Sequence, residues 1–470
     1  MNTRRSAFWC SGVVVFCGVV LSGNVQAMQI DKLAVVAAND IQPAVTDSAG
    51  QDTPMGQSAN GQVSLLPEDA GADKGDNLFG MKGGYFHPYI TLEEAFTDNI
   101  YDVRTNRTSS SRTTVSPGIW FALPRKKEVP VAITPHNTSP GGLQYQFKDH
   151  EGTDRIQVYA LGGLDFKYYS ADSDLNTTNG VLEGLFRYNM RGGLSFQLVD
   201  RYTHGEDGFN SGIPGAVQAK YNSNFTLVTA DWKMTEKFRT KLEYSNFLLD
   251  YDNPYTFRNR VDNGIDLYGY YVYSVKTSFF LEDKFVNVNY DDSVGSANDN
   301  IQNFIYTGIK WDTTEKLAIM AKVGLQTRNF DNNGAGNERR DYKGLAYDLQ
   351  TVYRATVKTK FTLDLYRTDE ETDYTSASGK LVTGATFGYR QKYTDKISGS
   401  LDVTYENADY AQLIAQKRDD DRVFIRPAVQ YFFREWLIGE IAYEFDKRSS
   451  AYDVFDYESN TILLNLKFAL

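Results

Sequence analysis

The sequence predicts an all-β chain: a transmembrane, antiparallel, up-and-down β-barrel of about eighteen strands, with sixteen as the alternative count, behind a disordered N-terminal leader. Three observations carry this expectation. Apolar and polar residues alternate in segment after segment from about residue 85 to Leu470. The connections between these segments are alternately short and long, and the chain begins with an export-type leader. Successive side chains of a strand point to opposite faces, so a two-residue period describes a sheet with one apolar and one polar surface. In lipid every backbone donor and acceptor must be paired, which a sheet achieves by closing on itself; closure also removes edges that would aggregate.

Residues 1–27 read as a signal peptide, because Arg4 and Arg5 precede an apolar run from Phe8 to Val20 and the small-residue site Val25-Gln26-Ala27. That run is shorter than the roughly 20 residues a spanning helix needs. Thr3-Arg4-Arg5 has some likeness to a twin-arginine signal, but the ordinary secretory route suits a protein that must arrive unfolded. Both cysteines, Cys10 and Cys17, lie in this segment, so the processed chain offers no disulfide, thiolate metal site or catalytic cysteine. Losing Arg4 and Arg5 takes the net charge from -11 to -13, which disfavours nucleic acid as a partner. Residues 28–82, rich in Gly, Ala, Ser, Asp and Gln, read as a flexible periplasmic leader. Its short apolar patch Leu33–Ala38 could dock a partner or plug the lumen.

Residues 83–470 form the expected barrel. Leu317 to Leu325 shows the pattern: Leu317, Ile319, Ala321, Val323 and Leu325 share one face, with Lys322, Gln326 and Arg328 on the other. Read this way, strands fall at 85–97, 111–123, 157–169, 179–190, 194–203 and 221–234. They continue at 238–250, 264–276, 279–290, 301–311, 317–328 and 342–353. The last six are 359–368, 379–391, 397–406, 421–433, 436–446 and 458–470. Tight turns such as Arg191–Gly193 and Thr277–Ser278 alternate with longer polar connections such as His204–Lys220 and Asp369–Ser378, as in bacterial outer-membrane barrels. An even count then puts both termini in the periplasm. Pro124–Arg155 reads as one long periplasmic connection, although Leu143, Tyr145 and Phe147 alternate and could add a strand or small hairpin.

Trp120, Trp232, Trp311 and Trp436 all fall near the short-turn end of their strands, where an interfacial aromatic collar belongs. Trp120 points inward by parity. At the end of the chain Ile462, Leu464, Leu466, Phe468 and Leu470 alternate with Asn465 and Lys467 on the other face. This is similar to the terminal signal read by barrel-insertion machinery, with Leu470 where phenylalanine is usual. Parity assigns Glu183, Arg187, Arg239, Lys241, Glu243, Lys322, Gln326, Arg328, Asp364, Asp402, Glu406, Arg426, Gln430, Glu440 and Glu444 to the lumen. Ser398, Ser400 and Thr404 join them, and Tyr366 and Phe424 could offer stacking faces to sugars. Mixed charge around a barrel of this size suits a watery passage; bracing and hydrating the wall is the plainer role for the same residues.

The segment Tyr89-Ile-Thr-Leu-Glu-Glu-Ala-Phe-Thr-Asp-Asn-Ile100, then Ser116-Pro117-Gly118 and Phe166-Lys-Tyr-Tyr169, resembles the putative beta-barrel porin 2 family over roughly residues 85–250. Members of that family often accompany exopolysaccharide or capsule loci. The resemblance implies an outer-membrane channel passing polar material, with export of such a polymer preferred over general diffusion or a purely structural or adhesive barrel. The partners it implies are outer-membrane lipids, the insertion machinery, a polysaccharide and periplasmic export components. It hands over no catalytic residue, and neither cofactor nor metal is expected. His87, His136, His150 and His204 are scattered without metal-ligand spacing. The nearest approach to a catalytic group is His204 beside Asp200 and Asp207, which reads as a loop cluster. The acidic runs Asp369-Glu-Glu371 and Asp419-Asp-Asp421 could bind calcium or magnesium, solvated loops being the commoner meaning.

Overall fold

The computed structural model describes residues 84–125, 135–143, 154–207, 218–291, 298–314, 316–331, 339, 341–372, 374, 376–412 and 417–469. The signal-peptide and leader readings lie outside these residues, as does Leu470 of the terminal motif. The strands are β1 (Phe86–Thr97), β2 (Ser110–Leu123), β3 (Ile156–Tyr169), β4 (Thr177–Asn189), β5 (Leu194–Asp207) and β6 (Ala219–Lys233). Then come β7 (Phe238–Tyr251), β8 (Arg260–Ser274), β9 (Thr277–Tyr290), β10 (Asn300–Thr314), β11 (Leu317–Phe330) and β12 (Tyr342–Thr356). The series ends with β13 (Thr359–Glu370), β14 (Ala377–Lys392), β15 (Ile397–Gln412), β16 (Asp419–Arg434), β17 (Leu437–Ser450) and β18 (Tyr457–Ala469).

Each strand pairs antiparallel with its neighbours in the chain, and β18 returns to β1 with Leu92 opposite Leu466, which closes an 18-stranded barrel. Sixteen strands is thereby excluded. The strands outrun their expected limits mainly at the end bearing the longer connections. There β5 continues to Asp207, β8 starts at Arg260, β15 reaches Gln412 and β17 reaches Ser450. These extensions are polar on both faces, as in His204-Gly-Glu-Asp207. Above an apolar belt the ladder continues without a hydrophobic period to announce it.

Alternation gives the wall its two surfaces. Leu182, Leu281, Ile305 and Ile441 stand more than half exposed on the outside, whereas Glu183, Glu282, Gln302 and Glu440 on the other face are buried. Ile462, Leu464 and Leu466 of β18 lie on the outer face. At the short-turn end Trp232, Trp311 and Trp436 are exposed, in company with Phe196, Phe238, Tyr271, Phe279 and Tyr353. Phe238 leans on Tyr271 at 5.5 Å, and Trp436 stacks over Phe468 at 6.5 Å. Trp120 departs from this collar: it is buried inside the barrel, stacked on the His87 ring at 3.6 Å. Its odd-even position decides its side, and level alone does not make it interfacial.

One close approach explains a glycine in the wall. Tyr89 faces Gly118 across the β1–β2 ladder, and its ring occupies the space a Cβ on Gly118 would need. An aromatic ring covering a glycine shields exposed backbone and pins the register. Gly118→Val is expected to displace that ring and cost about 1–3 kcal/mol, read as a lower unfolding temperature in detergent. An unchanged melting curve would show the contact to be loose.

Candidate functional site

The connection expected to stay in the periplasm enters the barrel. Its described middle stretch, Pro135–Leu143, belongs to a connection that joins β2 and β3 at the short-turn end yet touches inner-face residues near the opposite, long-connection end. Pro135 and Leu143 form a lone antiparallel bridge, and between them the chain makes a tight knot. The His136 amide donates to the Gly142 carbonyl at 2.8 Å and the Gly142 amide to Ser139 at 2.9 Å. Ser139-Pro-Gly-Gly142 builds this turn because Gly141 and Gly142 take φ of +76° and +73°, a region costly for residues with a Cβ. Gly142 also lies flat against Phe247, whose ring fills the place of a side chain there.

Side chains from five strands hold the knot. Asn137 donates to Asp207 of β5 at 3.4 Å and to the Tyr251 hydroxyl of β7 at 3.2 Å. On β8, Arg260 donates to the Ser139 carbonyl at 3.1 Å, and Asp262 accepts from the Gly141 amide at 2.9 Å. Lys284 of β9 reaches the Pro140 carbonyl at 3.5 Å. Thr138 donates to Glu370 at the end of β13 at 2.8 Å, and its carbonyl accepts from the Glu371 amide at 2.9 Å. The segment therefore ties the neighbouring strands β7, β8 and β9 to the more distant β5 and β13, across the bore. Bonds to charged partners contribute about 1.5–3 kcal/mol each, so the docked state is well held. His136, outside the spanning strands, is pushed down to about 4 by burial and is neutral at pH 7. Thr138 gives its one hydroxyl proton to the Glu370 carboxylate, so the 3.2 Å contact with His136 assigns the ring proton to Nδ1.

The acidic run Asp369–Glu371 forms the second inward element, and its burial overturns its reading as a solvated loop. All three residues are buried. Asp369 pairs with Arg328 at 3.1 Å and exchanges backbone bonds with the Gln326 amide. Glu371 accepts from Tyr290 at 2.7 Å, Gln302 at 2.8 Å and Asn300 at 3.1 Å. Asp419–Asp421 is engaged likewise, Asp420 with Arg418 at 2.6 Å, and Asp421 with Tyr405 at 2.6 Å and Asn407 at 3.2 Å. Among the described residues no group of three acidic, histidine or cysteine side chains could hold a metal ion.

The residues that parity assigned to the lumen sit mostly in compensated pairs. Glu183 meets Arg201 at 2.9 Å, Lys322 meets Glu282 at 2.9 Å, and Asp402 meets Arg390 at 2.8 Å. Arg239 is clamped on Asp231, and Lys241 lies 3.1 Å from Glu243 and 3.9 Å above the Tyr268 ring. Arg426 bridges Glu440 at 2.7 Å and Glu444 at 3.0 Å, and Gln430 donates to Glu440 at 2.6 Å. Tyr366 donates to Glu406 at 3.0 Å, while Arg187 donates to Asn189 at 3.2 Å. Asp364 is half-buried on β13, with Gln350 and Thr386 as its ladder neighbours. Thr404 contacts Thr386 at 3.2 Å, and Ser398 donates to Gln430 at 3.4 Å. Ser400 and Phe424 occupy half-buried positions on β15 and β16. The His204 cluster is not assembled. His204 contacts Asn222 at 2.9 Å and Asp200 accepts a hydrogen bond from the Thr226 hydroxyl at 2.6 Å, both on the outer face. Asp207 points inward to Tyr251 at 2.7 Å and Arg258 at 2.8 Å.

A closed antiparallel barrel with an apolar exterior and a polar, charge-paired interior defines the porin-like class of outer-membrane channel. The profile of the family described as Putative beta-barrel porin 2 matches residues 155–470. The chain belongs to that family. The match includes Phe166–Tyr169, but the Tyr89–Ile100 and Ser116–Gly118 motifs lie ahead of it, and it extends over the C-terminal strands where only the rhythm agreed. Among solved structures, Pseudomonas aeruginosa OccK2 (OpdF) aligns at 7% identity and a TM-score of 0.43, over 82% of this chain and 98% of that one. Acinetobacter baumannii OccAB3 aligns at 10% identity and a TM-score of 0.43, over 82% and 99%. No curated protein matches.

Sequence reasoning missed the inserted knot. The one available cue was Ser139-Pro-Gly-Gly142, a turn cluster inside a connection far longer than barrel turns require.

Proposed function

We propose that this channel passes a hydrated, weakly charged polymer of the exopolysaccharide or capsule type, and that the Pro135–Leu143 knot gates it. The single observation that carries the gate is the bridging of five strands by one short segment rooted at the other end of the barrel. Three things support the cargo: the resemblance to a family whose members often accompany such loci, the wall of paired charges, and the hydroxyl and amide groups between them. A wall of compensated pairs attracts no single sign of ion strongly, so it suits sugar hydroxyls exchanging many weak contacts with water. Tyr366 and the Arg426–Glu440–Glu444 group would supply such contacts, and Tyr268 an aromatic face.

In this reading the short-turn end and both termini face the periplasm, where export components deliver the polymer, and the Ile462–Phe468 edge guides insertion. Deleting the gene is expected to abolish or strongly reduce surface polymer, measured as secreted carbohydrate, with recovery on complementation. Unchanged secretion would remove the export reading and leave general diffusion as the surviving role of the channel.

A further inference from the structure

The outer wall carries a polar sector that acyl chains do not suit. On β5, Asp200, Tyr202 and His204 face outward, on the same side as exposed Phe196. On β6 this face shows Asn222, Asn224 and Thr226, on β7 Tyr244 and Asn246, and on β8 Asn263. On β9 it shows Asp283, Asn287 and Asn289, and on β10 Asn303 and Thr307. These groups bond laterally along the wall: Asn246 to Asn263 at 3.0 Å, Tyr244 to Asn263 at 3.0 Å, and Asn303 to Asp283 at 3.0 Å. Elsewhere the outward face holds apolar residues such as Val323 and Leu325 on β11, Leu345 on β12 and Leu464 on β18, with isolated polar pairs such as Glu94 and Thr113 at 2.6 Å in place of a continuous amide sector.

Depth makes the sector unusual. Asp200 lies four residues beyond Phe196 and Asp283 four beyond Phe279, both rings belonging to the collar at the short-turn end. At about 3.3 Å per residue and a strand tilt of about 40°, each carboxyl stands roughly 10 Å into an apolar belt about 25 Å tall. The amides continue upward from that level. Polar and ionisable groups at such depth are expensive against lipid and need polar partners.

We propose that this sector is the contact surface for a second copy of the chain. Three features favour that occupant. A second barrel brings polar groups to the same depth without further adjustment. Each asparagine both donates and accepts, so an amide ladder complements itself about a two-fold axis, as an isologous contact requires. Among the described residues the sector's outward face carries no lysine or arginine below Lys220 at the rim, so it offers nothing to an anionic lipid phosphate. A two-fold passing between β7 and β8 sets Asn246 and Asn263 at its centre.

With the native cysteines Cys10 and Cys17 replaced by serine, each variant carries one cysteine and cross-linking reads the contact directly. Asn263→Cys and Asn246→Cys, oxidised in intact outer membranes, are expected to give a disulfide-linked product of twice the chain's mass. Leu345→Cys and Leu464→Cys, placed elsewhere on the wall, are expected to stay monomeric. The double variant Asn246→Leu/Asn263→Leu should shift the detergent-extracted protein to monomer in native mass spectrometry while keeping its heat-resistant barrel. The proposal is overturned if the sector cysteines cross-link no more than the controls, or if they capture a product of another mass.

Discussion

Excising His136–Gly142 and joining Pro135 to Leu143 through two glycines is expected to raise the single-channel conductance of this barrel several-fold. The two flanking residues already face each other across a β-bridge, so the cut removes the knot without straining its stem. What is lost is a body held to β5, β7, β8, β9 and β13 and lying across the bore. The wall behind it is expected to survive, because each strand remains paired on both sides. Planar-bilayer recording checks this: native protein should pass small, infrequent currents and the excised form large, steady ones. Equal conductance in both would mean that the knot sits beside the path.

Arg328→Met has the second large effect, this time on stability. Arg328 is buried, 3.1 Å from Asp369 and 3.4 Å from Glu371, and donates to the Ser378 carbonyl at 3.2 Å. Removing one partner of a buried ion pair leaves the others uncompensated and typically costs 3–5 kcal/mol, far more than the pair itself contributes. The damage should spread, since Glu370 and Glu371 also fasten Thr138. Denaturant unfolding in detergent should show a clear loss of stability, together with raised conductance from a loosened knot. Arg104→Ala is the control: Arg104 pairs with Asp453 in an exposed connection, where an ion pair contributes little. Comparable losses from both substitutions would contradict the assignment.

Most of the fold was legible because a barrel in lipid writes its geometry into a two-residue period. Leu317 to Leu325 announces β11 by itself, and the change of short and long connections pointed to about eighteen strands, with sixteen excluded only by the closure of β18 on β1. In the structure Glu183 and Lys322 are buried, while Leu182, Val323 and Ile441 beside them or on the other face are exposed. Residue type misled at Trp120: it suggested the collar, whereas parity placed the ring inward, where the pleat sets it against His87. The inserted knot was illegible for a physical reason. His136–Gly142 forms no strand of its own, and its partners Asp207, Asp262 and Glu370 are far away in the chain, so no local pattern links them. The same holds for Asp369–Glu371, whose composition suggests solvent and whose bonds to Arg328, Gln302 and Tyr290 appear only in three dimensions. The outward Asp200 and Asp283 break the period, and a broken period alone does not say what covers it.

In the proposed gate, the Pro135–Leu143 knot must leave its seat before the bore conducts. The Glu371 amide donates to the Thr138 carbonyl, so these two backbones lie close enough for Thr138→Cys and Glu371→Cys to form a disulfide. Single-channel recording of this double variant across a voltage ramp is the direct test. The oxidised protein should stay shut at every voltage, and adding reductant should restore openings within the same record. Full conductance with the disulfide intact would contradict the account.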